Sequence, residues 1–351
     1  MSLAGFGNLT PAAFVALVPH GGFAQQDRHV AQDNEVNSAP LSRYFARCYA
    51  SHASQMSQAN SQLKERVRAF WQEHPCGTKF ADAQPGSRRF YELVEAHRYE
   101  KEWHIPAAAG FADSKHLDVL EIGCGLGTDG AQFAQAGARY TGIDLTEAAV
   151  DLARRRFELF NLRGNFRVAD AEQLDFADNS FDLVYSHGVL HHTPDTPTAV
   201  REIYRVLRPG GRAVVMLYHR DSYNYRINIS ILRRAGVHLL RSNAGIKLVQ
   251  ALTGESEQSL HDHARQLRFD SHYLSSDEFL SRNTDGAGNP LARVYSKQEA
   301  RELFKDFANI KLQPYFLNKR WLPLVGPLLP RAIEAKLAAR WGWHLWIYAT
   351  K

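Results

Sequence analysis

Short, mostly apolar runs alternate with longer segments of helical periodicity through the middle of the chain. The runs lie at residues 117–122, 140–143, 166–170, 181–192 and 212–217. Such runs are typical of strands in a parallel sheet that is covered on both faces. Between them, the segments behind the helix caps Thr146 and Asp195 carry apolar residues on one helical face. This alternation predicts an α/β fold with a doubly wound, mostly parallel sheet.

The chain before the first run divides into two parts. Residues 1–40 mix glycine, proline, glutamine and asparagine with little periodicity, so we interpret them as a poorly ordered extension with one short helix at 12–18. Residues 41–115 form a predicted helical segment, with clear helices over 62–74 and 88–103. Residues 116–351 form the predicted main domain.

The first run continues directly into a glycine-rich turn, in the sequence LDVLEIGCGLGTDG. Gly123, Gly125 and Gly127 occupy alternate positions. A glycine turn between a strand and a helix lets the backbone approach a ligand closely, beside the free N–H groups of the helix. The dinucleotide fingerprint G-x-G-x-x-G would need a further glycine where Thr128 stands, which disfavours a nicotinamide-dependent dehydrogenase.

Carboxylates follow the next two runs. Asp144 ends the second run, where a carboxylate faces a ribose and can accept hydrogen bonds from both hydroxyls. Asp170 ends the third run and is followed by Ala171 and Glu172. The order of strand, glycine turn and two carboxylates predicts a nucleoside-containing ligand at one edge of the sheet.

The pattern E-x-G-x-G-x-G beginning at Glu121, the two carboxylates, FDLVYSHGVLHH at 181–192 and LRPGG at 207–211 occur in the order of the class I S-adenosylmethionine (SAM)-dependent methyltransferases. Residues 118–216 resemble this family, and the similarity is closest to the small-molecule branch that includes ubiquinone and menaquinone biosynthesis methyltransferases. The resemblance implies a seven-stranded Rossmann-like sheet, SAM as cofactor and S-adenosylhomocysteine as product. It further implies methyl transfer by in-line displacement to O, N or C of a small-molecule metabolite.

The resemblance also implies site residues. The cofactor set is Glu121, Gly123, Gly125, Gly127, Asp144, Leu145, Asp170, Ala171, Ser186, Tyr91 and Tyr99. Tyr91 and Tyr99 lie on a helix that we expect to fold over SAM as a lid, and the alternative is that they pack this lid onto the sheet.

Two neighbouring pairs are the candidates for the acceptor side. A neutral O or N acceptor must lose a proton, and histidine has a pKa near neutrality, so His191 or His192 is the predicted catalytic base or orients the acceptor. The alternative is that one histidine caps a turn and the other packs against a helix. Tyr218 and His219, at the end of the fifth run, are the predicted substrate-binding residues.

About ninety residues separate the fifth run from the strand-like segments at 309–316 and 344–350, which the family resemblance identifies as a closing antiparallel hairpin. Residues 218–295 are therefore predicted to be a largely helical insertion, with a final covering helix at 296–307. Ligands of open α/β sheets bind at the carboxyl ends of the strands, where this insertion emerges. We expect it to wall the acceptor pocket together with the N-terminal lid.

The amino-acid composition narrows the class of protein and its expected location. The hydrophobic fraction of 44% and charged fraction of 23% are those of an ordinary globular protein, and no apolar run approaches the roughly 20 residues of a membrane helix. Three scattered cysteines favour reduced thiols and a cytoplasmic location; Cys76, in a Pro-Cys-Gly turn, is interpreted as a buried turn residue rather than a nucleophile. His261 and His263 do not share a helix face, so no metal is predicted.

The net charge of +5 comes from dispersed basic residues, which argues against a nucleic-acid partner. An RNA methyltransferase stays an alternative, but residues 186–189 stand where such enzymes carry an Asn-Pro-Pro-Tyr type motif. A SAM-binding protein without catalysis is the third function considered. No pattern in the sequence indicates an oligomeric state. His344, in the last strand-like segment, is predicted to lie in the core or in an interface.

Overall fold

A computed structural model of the chain describes residues 39–319 and 326–351. The chain divides into two compact units, residues 1–53 and 54–351, and the sheet and the candidate site lie in the second. The predicted helix at 12–18 lies outside the described residues. Within the part of the chain that is described, no helix is both long and apolar enough to span a membrane.

Seven strands and twelve α- or π-helices of five residues or more are the main elements of the described residues. The strands are β1 (Asp118–Ile122), β2 (Arg139–Asp144), β3 (Asn165–Val168), β4 (Phe181–His187), β5 (Leu207–Tyr218), β6 (Ala308–Tyr315) and β7 (His344–Thr350). The helices are α1 (Ala39–Glu73), α2 (Arg88–Lys101), α3 (Ile105–Ala109), α4 (Thr128–Gln135), α5 (Glu147–Leu159), α6 (Thr196–Val206), α7 (Asn224–Arg233, a π-helix), α8 (Asn243–Thr253), α9 (Glu257–Phe269), α10 (Ser276–Arg282), α11 (Lys297–Leu303) and α12 (Arg331–Trp341).

The strands form one sheet in the order β3-β2-β1-β4-β5-β7-β6. Strands β1 to β5 pair in parallel, and β7 is antiparallel to both β5 and β6. The predicted doubly wound sheet of seven strands, closed by an antiparallel hairpin, is confirmed. Because the order reverses direction at β1 and β4, the carboxyl ends of these two strands define the crevice in which such sheets bind ligands.

Both faces of the sheet are buried, as the apolar runs predict. On one face, Ile122, Val184 and Val215 pack with residues of α6 and α11. On the other face, Val119 and Tyr185 belong to a cluster that also includes residues of α3, α4 and α5 and of the insertion helices α7 to α10. Alternate residues of each strand therefore serve two separate cores.

Several predicted boundaries are wrong. The strand predicted over 181–192 ends at His187, because Gly188 takes a φ of 80° and the chain then turns through a short 3₁₀ helix. The helix predicted over 62–74 is the end of the much longer α1. The sequence also favours a helix over 227–240, but this segment is a π-helix followed by a short α-turn and a 3₁₀ helix, Val237–Arg241. Helices α10 and α12 were not predicted.

Candidate cofactor and acceptor site

The glycine turn after β1 is held against β2 by its backbone. The amides of Gly123 and Cys124 both donate to the carbonyl of Ile143, at 2.7 and 2.9 Å. A Cβ added to Gly123 would lie 2.1 Å from a methyl group of Val189, whereas a Cβ on Gly125 would meet nothing within 4 Å. Gly123 is thus required by packing, and Gly125 borders open space into which a ligand can approach the backbone.

Asp144 lies directly beside this turn. Its Oδ2 accepts a hydrogen bond from the amide of Gly125 at 3.1 Å, and its Oδ1 accepts from the amide and hydroxyl of Thr146 at 3.0 and 2.9 Å. Burial raises the pKa of the Asp144 carboxyl, and the hydrogen bonds from Thr146 and Gly125 oppose that rise. The carboxylate is therefore fixed in orientation next to the open edge of the turn.

The acidic turn after β3 is bound by a residue that the sequence did not reveal. Nζ of Lys64, on α1, lies 2.5 Å from Oδ2 of Asp170 and 2.5 Å from Oε2 of Glu172. Burial alone would lower the pKa of Lys64, but the hydrogen bonds to the two carboxylates outweigh it and the pKa is raised. This ion pair holds α1 against Asp170 and Glu172, the carboxylates of the acidic turn after β3.

A second network that was not predicted lies at the start of α4. Asp129 is 2% exposed and accepts two hydrogen bonds from the Arg98 guanidinium, at 2.9 and 2.6 Å. It also accepts from the hydroxyls of Tyr99 and Tyr185, at 2.9 and 2.8 Å. Burial raises the pKa of the Asp129 carboxyl, but Arg98 and the two hydroxyls outweigh it and the pKa falls below its ordinary value. The network joins α2 to the helix that follows the glycine turn.

The two lid tyrosines have packing partners. The hydroxyl of Tyr91 donates to the carbonyl of Leu152 at 2.7 Å, and its ring meets Phe160 edge-on, so it packs α2 against α5. The hydroxyl of Tyr99 donates to Asp129. These contacts favour the packing interpretation, and cofactor contact by either tyrosine stays a prediction.

The other predicted cofactor residues line the strand ends. Glu121 is buried and accepts a hydrogen bond from the hydroxyl of Tyr140 at 2.5 Å, and burial holds its pKa well above the ordinary value. The hydroxyl of Ser186 donates to the carbonyl of Ile122 at 3.1 Å. The remaining predicted residues are half-buried or buried at the same edge: Gly127, Leu145 and Ala171.

His191 and His192 are both buried in the turn after β4. The ring of His191 stacks on Tyr218 at 3.7 Å between centroids, neither of its nitrogens has a hydrogen-bond partner among the described residues, and burial lowers its pKa well below the ordinary value. Nδ1 of His192 donates to the carbonyl of Leu291 at 2.5 Å, and its Nε2 lies 3.5 Å from Oδ2 of Asp285. Of the two histidines, His192 is thus the one whose ring nitrogens both face polar partners.

Tyr218 ends β5 and His219 directly follows it, and the two side chains have different partners. The hydroxyl of Tyr218 donates to Oδ1 of Asp285 at 2.8 Å, and its ring stacks on Trp343. The ring of His219 donates to the carbonyl of Gly342 at 2.9 Å. The contacts of Tyr218 suit an acceptor-side position, while those of His219 favour a structural role.

Cys76 lies near several charged residues of the candidate site. Its thiol is exposed, so the interpretation of a buried turn cysteine is wrong. The charges of Arg98, Asp285, Glu102 and Asp144 act on this thiol, and desolvation by the surrounding protein raises its pKa to about 11. The raised pKa argues against Cys76 as a nucleophile.

Comparisons with known proteins agree with the geometry. The family described as "Methyltransferase domain" matches residues 120–215. The phosphoethanolamine N-methyltransferase 1 of Triticum aestivum is 28% identical over 208 residues, which cover 54% of this chain and 40% of that protein. The ubiquinone biosynthesis O-methyltransferase of Pseudomonas aeruginosa is 34% identical over 137 residues, covering 39% and 57%. A sterol 24-C-methyltransferase of Neurospora crassa is 33% identical over 135 residues, covering 38% and 34%.

The matched methyltransferase domain covers residues 120–215, and the sheet topology and the glycine turn with its carboxylates are those expected of the class I SAM-dependent type. Its relatives are named for methylation of nitrogen, oxygen and carbon in small molecules, and the chain spans less than two thirds of the length of each. SAM is accordingly the methyl donor of this domain.

Proposed function

We propose that this chain transfers a methyl group from SAM to O, N or C of a small-molecule metabolite. The observation that carries the proposal is the edge formed by Gly125 and Asp144, where a glycine bordering open space is joined by its own amide to a half-buried carboxylate. That edge fits a nucleoside with an attached amino-acid chain. The dispersed surface charge and the scattered free cysteines support, in addition, a cytoplasmic reaction without a nucleic-acid partner.

When bound, SAM supplies a methyl group activated on a sulfonium. Different residues of this chain would bind different parts of SAM. The backbone from Gly123 to Gly125 would lie along the methionine part, and Asp144 would accept hydrogen bonds from the ribose hydroxyls. Asp170 and Ala171 would lie beside the adenine. Asp144 is already oriented by Thr146, so little conformational entropy would be lost on binding.

The proton released by an O or N acceptor would pass to His192. Its Nδ1 is occupied by the carbonyl of Leu291, so Nε2 is the nitrogen available to accept a proton, and Asp285 would stabilise the resulting imidazolium. His191, which burial keeps neutral, would shape the pocket with Tyr218. The remaining task of the protein is to align the reacting atoms and exclude water.

Calorimetric titration with SAM, S-adenosylhomocysteine and NADH tests the proposal. Micromolar binding of the two adenosyl compounds, without NADH binding, is the expected result. Asp144→Asn should weaken SAM binding by about 1–3 kcal/mol, because the hydrogen bonds to the ribose lose their charged partner. Asp151→Asn, an exposed carboxylate on α5, is the control. Absence of binding of either adenosyl compound would refute the proposed function.

A further inference from the structure

The insertion carries a concentration of exposed apolar side chains. Six of the thirteen large apolar side chains that are exposed among the described residues lie between residues 227 and 252. They are Ile227, Ile231, Leu232, Leu239, Leu248 and Leu252, which we call the insertion patch. Apolar side chains scattered singly over a surface are ordinary, whereas a concentration of them marks a surface that another molecule covers.

Helix α8 is apolar on its outer side as well as on its inner side. On the inner side, Ile246 packs in a core cluster with Leu240 and Leu260. On the outer side, Leu248 and Leu252 are 51% and 75% exposed, and they lie next to each other because they are four residues apart on a helix. Lys247 is the single charged residue of this helix. A helix that is apolar all round is ordinarily covered on all sides.

The other exposed side chains of the patch belong to segments that contact both ends of α8. Arg233, the residue after Leu232, lies 3.7 Å from Glu255, which follows the end of α8 by two residues. At the start of α8, a Cβ added to Gly245 would lie 1.9 Å from the carbonyl oxygen of Leu239. The packing of α7, the 3₁₀ helix and α8 therefore brings the members of the patch together.

The surroundings of the patch are positively charged. Residues 222–254 contain five arginines and lysines and no aspartate or glutamate. Arg241 and Lys247 are exposed, and no carboxylate of the described residues pairs with either. The carboxylates that follow in the sequence already have basic neighbours: Glu255 lies near Arg233, Glu257 near His261, and Asp262 near Arg265. A partner of this surface is therefore expected to be anionic.

An anionic lipid surface matches both properties of the patch. Leucine and isoleucine side chains enter the boundary between headgroups and acyl chains, while arginine and lysine contact the lipid phosphates. A second copy of the chain fits less well, because two copies of this patch would bring cations together. A nucleic acid would satisfy Arg241 and Lys247 but would leave the exposed leucines without an apolar partner.

We propose that the insertion patch docks this chain on an anionic lipid surface, with Leu248 and Leu252 in the headgroup boundary and Lys247 on the lipid phosphates. The docking is peripheral, because α8 has 11 residues and a helix that spans a bilayer needs about 20. The patch contains none of the candidate cofactor or acceptor residues. The inference therefore goes beyond the proposed function and does not depend on it.

The test is co-sedimentation of the full chain with lipid vesicles. One set of vesicles contains phosphatidylcholine alone, and in the other about a third of it is replaced by phosphatidylglycerol, which supplies the negative charge. We expect binding to the anionic vesicles to be at least about tenfold stronger than to the neutral ones, and to weaken as salt is added.

Substitutions separate the apolar and the charged contributions. Leu248→Ser combined with Leu252→Ser should weaken binding to the anionic vesicles at least about tenfold, because two apolar side chains no longer leave water. Lys247→Gln should weaken it about fivefold and leave binding to neutral vesicles unchanged. Leu328→Ser, at an 81% exposed leucine outside the insertion, is the control and should bind as the wild type does.

Three results would overturn the inference. The first is equal binding, or no binding, to neutral and anionic vesicles. The second is wild-type vesicle binding by the double leucine variant. The third is a dimer in sedimentation velocity that the same variant dissociates, which would assign the patch to a second copy of the chain. Calorimetry with S-adenosylhomocysteine on the same variants tests the proposed function separately, and a failure to bind it would leave the vesicle result standing.

Discussion

Asp129→Asn is the substitution from which we expect the largest loss of stability in the lid network. The asparagine keeps the shape of Asp129 but not its charge, so Arg98 loses the carboxylate that it binds at 2.6 and 2.9 Å. Removing one partner of a buried ion pair costs about 3–5 kcal/mol in general. Because Arg98 is a quarter exposed and also lies 3.6 Å from Glu102, we expect about 3 kcal/mol here.

Urea unfolding followed by tryptophan fluorescence measures this loss as a shift of the midpoint at constant slope. The matched control is Asp151→Asn, whose carboxylate is 73% exposed in an ion pair with Arg154 and should change the free energy of unfolding by less than about 0.5 kcal/mol. A loss below about 1 kcal/mol for Asp129→Asn would refute the reasoning, because it would mean that water reaches the pair.

The pH dependence of the free energy of unfolding provides a second, independent test of the same ion pair. The pKa of Asp129 is lower in the folded protein than its unfolded value of about 3.9, because Arg98 and the tyrosine hydroxyls outweigh burial. Its contribution to stability is therefore present above about pH 4 and is lost as the pH falls through the folded pKa. The difference in stability between the wild type and Asp129→Asn should shrink in that acid range and stay constant from pH 5 to 8.

Three further predictions concern single positions. Gly123→Ala should cost about 2–4 kcal/mol of stability, from its positive φ and the collision of the new Cβ with Val189, whereas Gly236→Ala, with open space and negative φ, should cost nothing in the same unfolding assay. Lys64→Met should speed amide hydrogen exchange in α1, measured by mass spectrometry, because two carboxylates lose their cation; unchanged exchange would show that the ion pair does not hold the helix. Cys76 should react with iodoacetamide at pH 8.5 about 100-fold more slowly than an ordinary exposed thiol, because its pKa is about 11, and equal rates would show that the protein does not raise the pKa of this thiol.

The sheet could be predicted from the sequence because its strands are buried on both faces. Val119, Leu120 and Ile122 belong to a mostly apolar run, and the structure divides them between two cores. The helix caps Thr146 and Asp195 could also be predicted from the sequence, and each accepts a hydrogen bond from an amide in the first turn of its helix. Strands and helix caps of this kind depend on residues within a few positions of one another, and sequence patterns reveal interactions over that distance.

The lid chemistry could not be predicted in the same way. Tyr99 was interpreted from its place on a helix before the first strand, whereas its hydroxyl is directed by Asp129, which lies 30 residues later in the chain. Lys64 and Asp170 are 106 residues apart and share no motif. An ion pair between elements that meet only in the folded protein leaves no local trace in either segment, because a lysine or an aspartate on a helix or turn has a solvated surface as its default environment.

The two halves of the site therefore differ in how the sequence encodes them. The proposed cofactor edge is encoded by residues close together in the sequence. Gly125 and Asp144 follow the adjacent parallel strands β1 and β2, and their contact involves no residue of the later chain. The proposed acceptor side is assembled by residues of the insertion, because Asp285 accepts a hydrogen bond from Tyr218 and the carbonyl of Leu291 accepts one from His192. A change in the loop that carries Asp285 and Leu291 would thus re-aim Tyr218 and His192 and leave the contact between Gly125 and Asp144 intact.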